Sequence, residues 1–147
     1  MIRSALGSGA LRFDHIGSTA VPGLLAKPVI DIQITVQEVD ATLALATALE
    51  SAGYLYRPNV AADRPPFWET QEPSEWKKMY CRTPDSVAPR IHLHVRQTGR
   101  RNQRYALLFR DYLRADERAR QSYGCYKKLL GDAVGHLSGP GGTGPYL

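Results

Sequence analysis

The sequence predicts an α+β fold, in which one β-sheet is flanked by helices within a single domain. Two segments, Val29–Val36 and residues 88–96, alternate apolar and polar side chains, which is typical of strands that bury one face. Residues 101–114 and 116–130 instead repeat apolar side chains every three or four positions, as amphipathic helices do. The length of 147 residues suits one domain whose core needs neither disulfides nor a metal.

Local signals predict the remaining regular elements. Three further strands are predicted, over residues 11–16, 54–57 and 76–82. Asp40 is a typical N-cap and Gly53 a typical helix terminator, so a helix is predicted over residues 41–52.

Two irregular stretches complete this part of the chain. A short turn or helix is predicted around residues 21–26, because Pro22 suits a first helical position. Residues 58–73 contain four prolines and predict a loop around Phe67 and Trp68. A loop of this length is either a lid over a cleft or a surface loop pinned by its aromatic side chains.

The two C-terminal helices are each predicted to bury one apolar stripe. The stripe of the first helix consists of Tyr105, Leu108, Phe109 and Tyr112. The stripe of the second consists of Ala119, Tyr123, Tyr126 and Leu130. Beyond them the chain turns to glycine and proline, so we divide it into a domain over residues 1–130 and a tail over residues 131–147.

Composition limits the classes of partner and location. No run approaches the roughly 18 apolar residues of a membrane span, and the start of the chain lacks the apolar core of a signal peptide. We therefore expect a cytoplasmic protein with no membrane partner. The net charge of +5 favours anionic ligands.

Polar side chains are predicted to converge where two strands meet. Asp31 and Gln33 share one face of the strand Val29–Val36, and His92 and His94 share one face of residues 88–96. If these strands are neighbours with aligned faces, the four side chains form a cleft. A carboxylate with two imidazoles suits Zn²⁺, Fe²⁺ or Mn²⁺, although the histidines could equally be strand residues satisfied by hydrogen bonds.

Several residues near this cleft are candidates for binding an anion. A Gly17-Ser18 turn after a strand can present backbone N–H groups to a phosphate. His15 is either a base or anion donor, or a packed residue at a strand end. The candidate cations are Lys27, Arg90 and Arg110, the last because a guanidinium can clamp a phosphate bidentately.

Four segments resemble one protein family. They are residues 15–24 (HIGSTAVPGL), 26–32 (AKPVIDI), 91–95 (IHLHV) and 107–114 (LLFRDYLR). Together they resemble the GrpB family, also called UPF0157, over about residues 11–130. The resemblance implies a mixed sheet of about five strands similar to that of the nucleotidyltransferase superfamily. It also implies a connection with dephospho-CoA kinase, to which such domains occur fused.

The resemblance also implies a chemistry and its residues. Nucleotidyl transfer in that superfamily uses a Gly-Ser turn for the phosphates and paired carboxylates for two Mg²⁺ ions. Asp31 matches the first carboxylate, Gln33 stands at the second, and His92 and His94 occupy the best match to a third acidic position. We assign the candidate catalytic and metal-binding roles to Asp31, His92 and His94. The candidate ligand-binding set is His15, Gly17, Ser18, Thr19, Lys27, Gln33, Arg90 and Arg110.

These observations leave two functions open. The first is a nucleotide- or phosphate-ligand-binding protein, with Mg²⁺-dependent nucleotidyltransferase activity as an extension. The second is a non-catalytic accessory domain, favoured by Gln33 in place of a carboxylate, or else a His/Asp metal-site protein. We expect a small anionic or nucleotide ligand rather than nucleic acid, because the cluster around Arg100 and Arg101 lacks interleaved exposed aromatic residues. Whether the chain is an enzyme or a homodimer stays open.

Overall fold

The computed structural model describes residues 7–41 and 43–137, and it contains one mixed five-stranded sheet. The strands are β1 (Arg12–Ile16), β2 (Val29–Val36), β3 (Leu55–Tyr56), β4 (Met79–Arg82) and β5 (Arg90–Gln97). Their order across the sheet is β1-β2-β5-β4-β3. The pair β2 and β5 is parallel and the other three pairs are antiparallel. The predicted α+β class and the pairing of β2 with β5 are therefore confirmed.

Within the described residues, three α-helices flank the sheet. They are α1 (Leu43–Ser51), α2 (Arg101–Ala115) and α3 (Glu117–Leu137). Short 3-10 turns occur at Gly7–Gly9, Ser18–Ala20 and Pro73–Trp76. No helix in the described ranges is both long enough and apolar enough to span a membrane.

The hydrophobic core lies between α1 and one face of the sheet. Alternate residues of β2 and β5, among them Ile34, Leu93 and Val95, are fully buried against α1, whose Leu49 is also fully buried. Each fully buried aliphatic side chain of this kind contributes about 1.5 to 3 kcal/mol through loss of apolar surface to water. The apolar half of the alternation therefore holds the sheet together, and its polar half faces the other side.

The face of α2 that packs on the sheet differs from the prediction. The buried residues of α2 are Asn102, Gln103 and Leu113. The predicted stripe is largely exposed, with Leu108 68% accessible to solvent. The reason is that α2 covers the polar face of the sheet, where the Gln103 carbonyl accepts a hydrogen bond of 3.1 Å from Gln33. A polar sheet face selects polar partners from the helix, because buried polar groups need hydrogen bonds.

Helix α3 continues past the predicted boundary at Leu130 and ends at Leu137. Gly131 costs roughly 1 kcal/mol relative to alanine inside a helix, and an i,i+4 ion pair between Lys128 and Asp132 supports this turn. Of the predicted stripe, Tyr123 is partly buried against Phe109 of α2, but Tyr126 and Leu130 are exposed. Residues 138–147 of the predicted tail lie outside the described residues.

The turn predicted around residues 21–26 is present, and no helix forms there: the Leu24 N–H donates to the Val21 carbonyl at 3.2 Å across Pro22 and Gly23. A separate 3-10 turn precedes it at Ser18–Ala20.

Two polar contacts hold the loop over residues 58–73. Glu69 pairs with Arg101 at 2.7 Å, and the Thr70 carbonyl accepts a hydrogen bond of 2.8 Å from the Trp76 indole. Phe67 is 90% exposed and its ring packs against the exposed Trp68, so the aromatic pair does not pin the loop. The contacts of Glu69 and Thr70 favour a surface loop over a lid.

Candidate metal and anion site

The parallel register of β2 and β5 brings three ligand-capable side chains together on the polar face. Asp31 is paired with His92, and His94 lies two positions further along β5 on the same face. The Asp31 Oδ1 atom lies 3.1 Å from His94 Nε2 and 3.5 Å from His92 Nδ1. One ligand atom from each residue lies within 4.8 Å of the others, which is compact enough for one metal ion. The convergence predicted for Asp31, His92 and His94 is thus present.

Charge and burial set the protonation of this cluster. Burial acts to raise the pKa of Asp31, but hydrogen bonds and charge from His92 and His94 outweigh it and hold that pKa well below its usual range. Burial lowers the pKa of His94 to about 4, against the opposing hydrogen bond from Asp31. At neutral pH the cluster therefore holds a carboxylate and a neutral His94 imidazole, the forms that bind metals.

Tyr80 of β4 closes one side of the cluster. Its ring centroid lies 5.6 Å from that of His92 and 5.3 Å from that of His94. Burial, together with the charge of Asp31, raises the pKa of Tyr80 to about 12. The phenol therefore stays protonated at neutral pH. The contacts of its ring with both imidazoles limit their orientations.

Gln33, by contrast, is a buried structural residue. Its side chain is fully buried, its Oε1 accepts a hydrogen bond of 2.7 Å from Arg96, and its Nε2 donates to the Gln103 carbonyl. Arg96 in turn donates to Asp63, which also pairs with Lys78 at 2.6 Å. The prediction that Gln33 contacts a ligand is corrected, because a polar network beneath α2 engages both polar atoms of its amide.

The Gly17-Ser18 turn packs directly against Asp31. Gly17 has φ of 72°, in the region that favours glycine. A Cβ atom at Gly17 would lie 2.6 Å from Asp31 Oδ2 and 3.1 Å from Asp31 Cβ. Only a residue without a side chain allows the turn to approach the carboxylate this closely.

His15 and Thr19 lie apart from the carboxylate. His15 is paired with Ile32, so the register assigns its side chain to the sheet face opposite Asp31. The Thr19 hydroxyl donates to the Val29 carbonyl at 2.8 Å, and its oxygen lies 3.0 Å from His15 Nε2. Because the hydroxyl has a single hydrogen, His15 Nε2 is the donor in the second bond. These two residues fasten the turn to β2 and lie outside the cluster, and their role in ligand binding stays a prediction.

Arg110 also supports the turn from outside the cluster. It donates to Asp111 at 2.7 Å and to the His15 carbonyl at 3.0 Å, and it lies 3.7 Å from Asp14. Its side chain is largely buried by these contacts. Arg110 therefore anchors α2 to the end of β1 instead of forming the predicted phosphate clamp.

Lys27 and Arg90 line a groove beside the cluster. The groove has a volume of about 830 Å³, and its walls are Lys27, Pro28, Val29 and residues 85–90. Val29 is paired with Arg90, two residues before Asp31 and His92 along the same strands. Two strand residues span roughly 7 Å, so the groove and the cluster are neighbours along β2 and β5.

One residue of the site is absent from the sequence predictions. Lys127 of α3 donates to Ser18 Oγ and, at 3.2 Å, to the Leu25 carbonyl. The available signal was its position four residues after Tyr123, on the flank of α3 that packs against the domain. Lys127 is therefore partly buried, whereas the neighbouring Lys128 is exposed.

These features define a single-domain α+β protein with a carboxylate–imidazole cluster beside a glycine turn. Comparison with known proteins gives its family: residues 1–137 match the family model described as GrpB protein, and the chain belongs to the GrpB family. A crystal structure of the conserved protein GrpB from Enterococcus faecalis is similar with a TM-score of 0.67 and 31% identity, covering 90% of this chain and 72% of that one.

Two curated relatives give the wider context. A UPF0157 protein of Halalkalibacterium halodurans is 36% identical, over 88% of this chain and 58% of its own length. A dephospho-CoA kinase of Mycolicibacterium paratuberculosis is 39% identical, over 86% of this chain and 34% of its own length. The chain therefore spans about a third of that kinase.

Proposed function

We propose that this chain binds a nucleotide or a related phosphate ligand beside a divalent metal ion held by Asp31, His92 and His94. The observation that carries the proposal is the position of the Gly17-Ser18 turn. A Cβ at Gly17 would lie only 2.6 Å from Oδ2 of Asp31, the same carboxylate that contacts both histidines. A metal at the cluster and a phosphate at the turn would therefore be neighbours.

The two distances from Asp31 to the imidazoles suit a transition metal. With bonds of about 2.1 Å, adjacent ligand atoms stand roughly 3.0 to 3.4 Å apart, and the contacts from Asp31 Oδ1 to the two imidazoles are 3.1 and 3.5 Å. Two imidazole ligands favour Zn²⁺, Mn²⁺ or Fe²⁺ over Mg²⁺, which prefers oxygen ligands. His94 Nδ1 is buried without a hydrogen-bond partner among the described residues, so we expect moderate metal affinity.

Two-metal nucleotidyl transfer has weaker support. That chemistry needs a second carboxylate beside the first to hold both ions, and the residue at that position is the buried, hydrogen-bonded Gln33. This burial favours the second candidate function, a non-catalytic accessory domain that binds its ligand without turnover. The likeness to one third of a dephospho-CoA kinase makes a role beside such an enzyme the natural setting for it.

Calorimetric titration tests the leading proposal. ATP, CTP and CoA are titrated into the full chain in the presence of Mn²⁺, Mg²⁺ or no metal, and Co²⁺ absorption spectra report imidazole ligation. We expect Mn²⁺-dependent binding of at least one ligand, and its loss in Asp31→Ala and in the double variant His92→Ala/His94→Ala. The matched control is Asp132→Ala, which removes an exposed carboxylate that pairs with Lys128 on α3 and does not line the groove.

Two outcomes would contradict the proposal. Absence of binding at millimolar ligand with every metal would remove the ligand-binding premise. Unchanged ligand affinity in Asp31→Ala, with the fold intact, would separate the cluster from the ligand and favour an accessory domain that binds elsewhere.

A further inference from the structure

Lys127 joins the last helix to the Gly17-Ser18 turn at the start of the domain. Its Nζ atom donates to Ser18 Oγ and to the Leu25 carbonyl. The ammonium also lies 5.8 Å from the centroid of the Tyr123 ring, so its stem packs along α3 while its charge reaches the turn.

The surroundings of Lys127 connect it with the metal cluster. Burial lowers the pKa of Lys127; the negative charge of Asp31 opposes this shift and the positive charge of Lys27 adds to it. Both groups are therefore close enough to act on the ammonium. Lys127 therefore contacts the turn and lies within the electrostatic influence of the Asp31 carboxylate and of Lys27.

Lys127 and Ser18 each keep a hydrogen-bond donor. An ammonium group has three hydrogens, and within the described ranges Lys127 has two acceptors, Ser18 Oγ and the Leu25 carbonyl. A hydroxyl can accept and donate at once, and among the described residues Ser18 Oγ accepts from Lys127 and has no acceptor for its own hydrogen. Two adjacent side chains thus each retain one donor. A phosphate oxygen is the acceptor that such a pair suits best, because hydrogen bonds to it from an ammonium are charge-assisted.

We infer that Lys127 and Ser18 together form the phosphate-binding half of the site, and that Lys127 determines its preference for phosphorylated ligands. This inference rests on the proposed function and adds its recognition element. The alternative is a purely structural role, in which Lys127 only ties α3 to the turn.

Binding measurements with paired probes separate these roles. ATP, tripolyphosphate and adenosine are titrated into the full chain with Mn²⁺ present, for the wild type and for Lys127→Met, Lys127→Arg and Lys128→Met. We expect Lys127→Met to weaken ATP and tripolyphosphate binding at least tenfold and to leave adenosine binding unchanged. Lys127→Arg should recover part of the loss, because it keeps the charge.

Lys128→Met is the matched control, since it removes an equal charge from the next residue of α3, where the lysine pairs with Asp132 on the exposed side. We expect its affinities to stay within twofold of wild type. Thermal unfolding of each variant identifies any loss due to misfolding, and Lys127→Arg serves as the folded variant if Lys127→Met is unstable.

The outcomes distinguish the two proposals. Wild-type binding that is unchanged in Lys127→Met would overturn the role of Lys127 and leave the proposed function standing. Equal losses in Lys127→Met and Lys128→Met would overturn it as well, because general charge would then explain the effect. If the wild type binds neither ATP nor tripolyphosphate, the role of Lys127 is overturned, and the proposed function fails with it only if CTP and CoA also do not bind.

Discussion

Alanine substitutions at Gly17 and Gly23 test how closely the Gly17-Ser18 turn approaches the Asp31 carboxylate. Gly17 and Gly23 have nearly equal positive φ angles of 72° and 76°. A Cβ at Gly23 would meet no atom within 4 Å, whereas a Cβ at Gly17 would lie 2.6 Å from Asp31 Oδ2. The two substitutions therefore share a positive φ. They differ in the contact with Asp31 and in the ψ of −172° at Gly17, which lies in a region essentially restricted to glycine.

The magnitudes follow from these two terms. A side chain at positive φ costs about 1 to 2 kcal/mol, and the loss of unfolded-chain freedom on replacing glycine returns about 0.4 to 1 kcal/mol. We therefore expect Gly23→Ala to lower the free energy of unfolding by about 1 kcal/mol. For Gly17→Ala, overpacking adds about 1 to 3 kcal/mol, because Asp31 Cβ, fixed to the strand at 3.1 Å, cannot rotate away.

Urea unfolding followed by circular dichroism and by the fluorescence of the two tryptophans measures both values. The double variant Gly17→Ala/Asp31→Ala completes a thermodynamic cycle, in which removal of the carboxylate should recover part of the extra cost. Equal destabilisation by Gly17→Ala and Gly23→Ala, within about 0.5 kcal/mol, would refute the close approach of the turn to Asp31.

The polar network beneath α2 gives three further predictions. Asp63→Asn leaves the largely buried cations Lys78 and Arg96 without their carboxylate, so we expect a loss of about 3 to 5 kcal/mol in urea unfolding, against no measurable change for the exposed Asp85→Asn. Burial acts to raise the pKa of Asp63, but the charges and hydrogen bonds of Arg96 and Lys78 outweigh burial and hold that pKa below its ordinary value. The stability that Asp63 contributes should therefore be fully present above about pH 4 to 5 and be lost as the pH drops further. The fall should be shallower in Asp63→Asn, and equal slopes for the two proteins would contradict this. Gln33→Leu leaves Arg96 Nη1 and the Gln103 carbonyl without their amide partner, and should cost about 1 to 3 kcal/mol without changing Co²⁺ spectra; a changed spectrum would mean that Gln33 takes part in the metal site.

The sequence predicted the residues whose position depends on strand period and strand pairing. Alternation alone assigned Asp31, His92 and His94 to polar faces, because successive strand residues point to opposite sides of a sheet. Their convergence required only that β2 and β5 be neighbours in register, which the family resemblance implied. The same rule, applied across β1, would have moved His15 to the opposite face, since it is paired with Ile32.

Features that depend on tertiary contacts were beyond sequence reasoning. The apolar stripe of α2 predicted a buried Leu108, but the polar face of the sheet is covered by Asn102 and Gln103. Helical periodicity identifies an apolar face without saying what the sheet beneath requires. Lys127 could not be placed either, because its partner Ser18 is 109 residues away in sequence.

The parallel pairing of β2 with β5 fixes an order of assembly during synthesis. The segment 37–89 must be complete before His92 and His94 can reach Asp31, so no early portion of the growing chain contains the cluster. Lys127 follows His94, the last residue of the cluster, by 33 residues, and at about 5 to 20 residues per second it is made about 2 to 7 s later. The carboxylate–imidazole cluster can thus form in the nascent domain before Lys127 is synthesised, so the two halves of the site are completed at different times.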